Sequence, residues 1–558
     1  MLGIHRLFSK KEHKGHNTHA EHGAAPMAGT EFKILPDKKL EFKADSIKNG
    51  APVRYALIRP YAYAKVRWDK VSNEFLYEVD EPKLSEEENE ILERLKRGLI
   101  ETINVSTRTL EKKDSIIKFL EERTKQLLDM YEIRLESSSY LKILYYLYRD
   151  FVGLNEIEPL MNDDYIEDVS CDGLNIPLYI IHQKLGSVKT NVIFKDNEKL
   201  RGFVIKLAEK TDRYISYASP VLDGTLPDGS RVQATLAGDV TTRGPTFSIR
   251  KFRETPFTPV DMTNMNTASL DMLAYLWFVV EHGANILIAG GVSTGKTTLL
   301  NCLSLFIPPS AKIVSIEDTK EINLPHENWI SSVSRPAFGG KTGEVTMFDL
   351  LKGSFRQNPD YLIVGEVRGK EASVMFQGMA SGHASISTMH AGSVDDVIKR
   401  LETDPINLSP GLLETLDMVI IMVHAKEKGH SARRVKEIME IESVDWESGE
   451  AKTKRISEWH PDTDGFSMKS VGDSYLLKKI ATESGISAAV VRQDIESRKK
   501  VLEWLSRQRL GWKEVSSYIS MYEKNRSQML SLIQNKNKPV EHSSPTSRRS
   551  ACDKSGKK

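Results

Sequence analysis

ANILIAGGVSTGKTTLLNCLSLFI, residues 284–307, decides the fold. The apolar run Ile286–Ala289 reads as a short buried strand. The next residues, Gly290, Gly291, Val292, Ser293, Thr294, Gly295, Lys296 and Thr297, match GxxxxGK[ST] at every fixed position. Thr298 and the apolar residues after it then read as a helix that stops at Pro308 and Pro309. A glycine-rich turn is the default reading of such a loop, but a strand before it and a helix after it make it a nucleotide cradle. Glycines let the backbone N–H groups wrap phosphate oxygens, and the helix N-terminus adds its dipole. Lys296 is placed to reach the β- and γ-phosphates, and Thr297 to ligate Mg²⁺. ATP and Mg²⁺ are the expected ligands.

Working outward, the same texture repeats. AKIVSIED, MFDLLKGSFRQ, YLIVGE, EASVMFQGMA and ASISTMHAG alternate strand with helix from residue 311 to residue 392. Such alternation implies a mainly parallel sheet covered by helices, with ligands at the C-terminal ends of the strands. The strand in PDYLIVGEVRG, residues 359–369, therefore ends on the edge that carries the phosphate loop. Its last position, where an Asp commonly contacts the Mg²⁺ shell, is Gly365, and a carboxylate arrives one residue later as Glu366, followed by Arg368. Glu366 is placed to act as base for water or to order the Mg²⁺ shell. SIEDTKE ends another strand with Glu317 and Asp318, with Glu321 following; one of these is expected to polarise water or hold magnesium, Glu317 directly or through water. His383 and His390 flank the strand in GHASISTMHAG and are read as γ-phosphate sensors rather than ligands of a catalytic metal.

The rest of the chain sets bounds. At 558 residues with 28% charged residues and a formal net charge of +1, no global excess of positive charge recruits nucleic acid or an anionic membrane. Cys171, Cys302 and Cys552 lie far apart, which excludes a zinc ribbon and a disulfide framework. The longest apolar run, around Leu273–Val280, is too short to span a bilayer, and no secretory signal is visible, so a cytoplasmic protein is expected.

Residues 1–30 read as a disordered tail in which His13, His16, His19 and His22 recur every third position; Gly15, Asn17 and Gly23 disfavour the helix that would align them on a metal. Residues 31–155 read as largely helical, led by the capping box of Ser85 and Glu88 with Ile91, Leu92, Leu95 and Leu99 on one face. Short alternating runs in 156–253 fit a small α/β domain, and 254–262, with Pro256 and Pro259, a stiff linker. The nucleotide-binding domain is expected over 263–450, a helical region over 451–534 and a disordered basic tail over 535–558.

The phosphate loop, the IEDTKE acid box, PDYLIVGEVRG with glycine in place of aspartate, and the GHASISTMHAG histidine box occur in that order. Together they resemble the secretion-superfamily ATPases of type II and type IV secretion and type IV pilus assembly. YIEDVSCDG, LPDGSRVQATLAGDVTTRGPTFSIRKF and KRLETDPIN look more specifically like the archaeal branch, which includes the archaellum motor and the archaeal pilus ATPases. The resemblance covers roughly residues 150–450 with specific motifs. It implies an α/β fold: a RecA-like P-loop motor domain, a smaller mixed α/β N-terminal domain, and helical additions at both ends. It also implies a homohexamer working on a polytopic membrane platform protein, with accessory cytoplasmic motor proteins and, indirectly, pilin-like or archaellin subunits as partners. The chain would then sit peripherally on the inner face of the membrane. Carried over residue by residue, Lys296 and Thr297 bind nucleotide and Mg²⁺, Glu366 is the catalytic glutamate, Glu317 belongs to the acid box, and His383 and His390 to the histidine box. Arg231, Arg243 and Arg250 match positions where the family places charge-neutralising arginines, some of them across subunits. The four-cysteine zinc element common in bacterial type II enzymes has no counterpart among these three cysteines.

Three other classes compete. A nucleic-acid translocating ATPase of RecA type shares the core fold but calls for a basic, aromatic-studded groove that the motor half does not display. A non-hydrolysing regulatory ATPase is at odds with intact Lys296, Glu366 and Glu317. A GTPase would carry NKxD after a strand, and NKNK occurs only in the C-terminal tail.

Overall fold

The computed structural model describes residues 32–34, 47, 52–102, 113–236, 238–253, 255–335, 343–427, 430–445, 450–508 and 510–534. The tails expected to be disordered, 1–30 and 535–558, lie outside the described residues. The chain divides into two units, residues 1–164 with 190–192, and residues 165–189 with 193–558.

In the first unit the helices expected within 31–155 are preceded by strands that the sequence reading did not include. This unit opens with an antiparallel meander, β1 (Val53–Ile58), β2 (Ala62–Asp69) and β3 (Glu74–Asp80). Tyr55 faces Ala64, and Val66 faces Tyr77, all buried, which is the period-2 alternation of a half-covered sheet. Buried Asp163 accepts hydrogen bonds from the hydroxyls of Tyr55 (2.7 Å) and Tyr77 (2.6 Å). Alanines at Ala62 and Ala64 weaken the apolar signal in the sequence, and the cross-strand tyrosines supply the volume. Helices follow: α1 (Glu86–Thr102), α2 (Lys113–Met130) and α3 (Ser137–Leu147). The expected capping box opens α1, with Ser85 N–H on Glu88 Oε2 at 2.8 Å and Glu88 N–H on Ser85 Oγ at 3.1 Å.

Six strands follow, β4 (Ile166–Cys171), β5 (Pro177–His182), β6 (Gly186–Ile193), β7 (Val221–Thr225), β8 (Arg231–Thr235) and β9 (Thr246–Arg250), all in the second unit except residues 190–192 of β6. They lie in the order β6–β5–β4–β9–β8–β7. Helix α4 (Asn197–Lys210), capped by Asp196, packs Phe203 against Phe194 and Phe247. The expected linker is partly helical, because α5 (Pro259–Asn264) starts on the reciprocal Thr258–Asp261 capping box with proline at the first helical position. In α6 (Leu270–Glu281) every residue from Met272 to Val280 is buried, so this all-round apolar helix belongs to the core.

The large sheet contains β10 (Ile286–Gly290), β11 (Ile313–Glu317), β12 (Trp329–Val333), β13 (Tyr361–Val364), β14 (Ala384–Met389) and β15 (Met418–Glu427). Their order, β12–β11–β13–β14–β10–β15, is parallel throughout. Alternate strand residues feed two cores. Ile286, Ile288, Ile313 and Ile363 face α6 and α7 (Lys296–Ser304), while Leu287, Ala289, Val314 and Val364 face α8 (Met347–Ser354), α9 (Glu371–Ala380) and α10 (Val394–Glu402). Burial on both faces explains why β10 and β13 read as continuous apolar runs.

A second difference concerns 451–534. The sheet continues antiparallel through β16 (His430–Val444), β17 (Ala451–His460) and β18 (Gly465–Met468) before any helix appears. In β17 the buried residues are only Ile456 and Ser457, so pairing with β16 rather than apolar alternation makes it a strand. Helices α11 (Tyr475–Glu483), α12 (Ala488–Ser506), α13 (Trp512–Lys524) and α14 (Arg526–Gln534) close the chain. No helix among the described residues is long and apolar enough to cross a membrane.

Candidate active site

Parallel pairing brings the C-terminal ends of β10, β11, β13 and β14 to one edge. There β10 turns through residues 290–295 into α7, with Ser293 at φ 57° and Gly295 at φ 92°, backbone values that a glycine adopts freely. Thr294 donates its hydroxyl to Gly291 O at 3.0 Å, Val292 is exposed, and Thr297 and Thr298 lie half-buried in the first turn of α7. Lys296 is buried, and burial lowers the pKa of its ammonium. Its Nζ lies 3.3 Å from Gly290 O, 2.9 Å from Gly291 O and 3.1 Å from His390 Nδ1.

An ammonium only donates, so Nδ1 of His390 accepts and the ring proton belongs on Nε2. Nε2 lies 3.1 Å from Glu366 Oε1, while Glu366 Oε2 accepts from Arg368 Nη2 at 2.5 Å. Burial lowers the pKa of His390 against the opposing charge of Glu366, favouring the neutral ring. Lys296, His390, Glu366 and Arg368 thus form one polar row along the strand ends.

Glu317 stands at the end of β11, 2% exposed. Its Oε1 accepts the N–H groups of Glu321 (2.8 Å) and Ile322 (2.9 Å), and its buried Oε2 has no hydrogen-bond partner among the described residues. Burial pushes the carboxyl pKa up to about 7, against the pull of those two N–H donors. The neighbouring residue on β13's side is Gly365, and a Cβ there would stand 3.1 Å from Glu317 Cγ. Glycine in place of the usual acid is what leaves room for Glu317.

Other expected site residues lie apart. His383 precedes β14, at the end opposite His390; it bonds Pro359 O through Nδ1 at 2.8 Å and stacks on Phe355. Two residues flanking one strand cannot share an edge, so the structure does not bring His383 to the phosphate loop. Arg231 pairs with Asp223 (3.1 Å) and Arg250 with Asp168 (3.0 Å), both arginines exposed, and Arg243 is exposed in the turn before β9.

The Type II/IV secretion system protein family matches residues 175–547. The chain belongs to this family. MJ0900, an uncharacterized protein of Methanocaldococcus jannaschii, is 35% identical over 488 residues, 84% of this chain and 85% of that one. The type IV secretion system protein PtlH of Bordetella pertussis is 31% identical over 273 residues, 43% of this chain and 80% of that protein. Among solved structures, the VirB11 ATPase from the Brucella suis type IV secretion system matches at 25% identity, covering 50% of this chain and 92% of that one with a TM-score of 0.27. As a type II/IV secretion family member the chain is a nucleotide-binding ATPase.

In this type II/IV secretion ATPase the residues present fit ATP with a divalent cation. Lys296 is a buried cation whose hydrogen bonds among the described residues go to neutral acceptors, which suits a phosphate. The unpartnered Glu317 Oε2 suits Mg²⁺ or its water, with the Thr297 hydroxyl as the other donor. Sequence reasoning missed Arg433 and Glu167. Arg433 Nε donates to Ser293 O at 3.0 Å, and its two terminal nitrogens hold Glu167 at 3.1 and 2.8 Å. An arginine inside a charged strand carries no spacing signal, so only the folded chain shows this contact.

Proposed function

We propose that the chain is a homohexameric ATPase whose hydrolysis of ATP powers assembly, and in one version rotation, of an archaellum or type IV pilus-like filament, or type II-like secretion. It works through a polytopic membrane platform protein, reaching pilin-like or archaellin subunits indirectly and without nucleic acid. Accessory cytoplasmic motor proteins join it at the inner face of the membrane. Family membership and the Methanocaldococcus jannaschii relative support this reading.

Within the site, residues Gly290 to Thr298 cradle the phosphates and Lys296 neutralises the terminal ones. Thr297 and Glu317 would hold Mg²⁺, which when bound neutralises phosphate charge. Glu366 takes the proton of the attacking water, and His390, neutral between Lys296 and Glu366, keeps the two in register. Arg368 donates to the Glu366 carboxylate and so fixes its direction. Arg231, Arg243 and Arg250 supply charge to a neighbouring subunit's nucleotide. The observation that carries this reading is the bridge from Lys296 through His390 to Glu366, which joins a phosphate-binding cation to a candidate base.

Glu366→Gln should keep ATP binding and lose turnover by about 10² to 10⁴, while Lys296→Ala loses binding. Near-normal phosphate release from both variants would remove the assignment. Deletion of the gene should abolish archaella or pili in electron micrographs; intact filaments would point to secretion instead.

A further inference from the structure

Arg433 lies on β16 opposite His424 of β15 and reaches two separate parts of the unit at once. Toward the phosphate loop, Nε bonds the carbonyl of Ser293, the loop residue held at φ 57°. Its Cδ lies 3.3 Å from where a Cβ on Gly295 would stand, so the stem also rests against the loop. Toward the small sheet, Nη1 and Nη2 grip both oxygens of Glu167 in a fork. Glu167 is itself fixed, because β4 pairs with β9 at Asp168–Arg250 and Lys251 N–H donates to Glu167 O at 2.8 Å.

A guanidinium is a rigid plane with five donors. Fixing its two terminal nitrogens on a carboxylate therefore also fixes where Nε points. A non-glycine residue in the left-handed region is held there by its surroundings, and the bond to its carbonyl is part of that hold. We infer that Arg433 is a positioning residue that sets the shape of the phosphate loop, and that Glu167 couples that shape to the small β4–β9 sheet. Movement of β4 by about an ångström turns the fork and withdraws Nε from Ser293, since hydrogen bonds weaken steeply with misalignment. Nucleotide affinity then follows the position of the small sheet. The inference rests on nucleotide binding at this loop.

The test uses the full chain, with a fluorescent ADP analogue for Kd and dissociation rate and ATP turnover for KM and kcat. Glu167→Gln removes the anion of the fork, and Arg433→Lys keeps the charge while losing the fork and the Nε bond. Each should weaken nucleotide by roughly tenfold, the scale of one charge-assisted hydrogen bond. Kd and KM should rise together, with kcat at saturating nucleotide changing less. Because both changes break one device, the double variant should be no weaker than the worse single variant. Unchanged Kd in both single variants overturns the inference, as do effects that multiply, or losses of kcat and melting temperature at unchanged Kd. Lys296→Ala separates the two readings. If that variant binds as well as wild type, nucleotide binding at this loop falls. If it fails to bind while Glu167→Gln and Arg433→Lys bind normally, the coupling alone falls.

Discussion

Gly365→Ala tests how the site is seated, because it adds one methyl group and nothing else. The φ of Gly365 lies outside the left-handed region, so the alanine meets no backbone penalty. What it meets is Glu317, whose Cγ would lie 3.1 Å from the new Cβ. Carbon atoms pack at about 3.5 to 4.0 Å, so one partner must give by roughly half an ångström. Glu317 is 2% exposed and held by two N–H bonds at 2.8 and 2.9 Å, so yielding strains or breaks one of them. Overpacking costs about 1–3 kcal/mol. Loss of unfolded-chain freedom on replacing glycine returns about 0.4–1 kcal/mol. The net loss of stability should therefore be about 1 kcal/mol. The catalytic loss should be larger, since a bond to a charged group is worth about 1.5–3 kcal/mol, or about ten- to a hundredfold in kcat/KM. Phosphate release and thermal melting on the same preparation give both numbers. Wild-type kcat/KM and an unchanged melting temperature would refute the reasoning, because Glu317 would then not depend on the missing side chain.

His390→Ala should lower kcat/KM at least tenfold by cutting the link between Lys296 and Glu366, whereas His383→Ala should cost only stability, about 1 kcal/mol for the lost bond to Pro359 O. Equal catalytic losses would return His383 to the site. The exposed pairs of Arg231 and Arg250 are each worth under about 1 kcal/mol, so breaking either one costs little, as the proposed sharing of sites between subunits requires. Mixing an Arg250→Ala protein with a Lys296→Ala protein under conditions of subunit exchange should recover part of the ATPase activity; background activity after confirmed exchange would argue against shared sites. Burial, with the charge of Glu281 adding, pushes the Glu523 carboxyl up to about 8 from an ordinary 4.5. A carboxyl raised on folding favours the folded state below its unfolded pKa and loses that contribution as pH rises toward the folded one. Glu523→Gln should therefore raise the melting temperature at pH 8 and hardly change it near pH 4.5; equal shifts at both would exclude Glu523 as the cause.

The parallel core was legible because its local signals agree with its global arrangement. Strands buried on both faces read as near-continuous runs of apolar residues, with small hydroxyl residues such as Ser315, Ser385 and Ser387 between them, and a phosphate loop needs glycines and a lysine at fixed spacing, so β10, β11, β13 and β14 and their C-terminal edge could be read in order. The meander of β1–β3 was less legible, because its alternation is carried partly by Ala62 and Ala64, and β17 less still, because with only Ile456 and Ser457 buried it is a strand by pairing with β16.

Which chemistry the edge can perform was written in the chain; which residues meet there was not. Glu317 as a buried acid with one free oxygen depends on the methyl group that Gly365 lacks on the neighbouring strand. His390 and His383 are equivalent as symbols flanking one strand, and only the direction of β14 sends one to Lys296 and the other to Phe355. Arg433 meets Glu167 across 266 positions of sequence. A single chain records residue types and short spacings, whereas a bidentate contact at that separation exists only once two sheets have folded and packed. Spacing determined the loop and its ligand class; long-range packing decided the charges that hold it in shape.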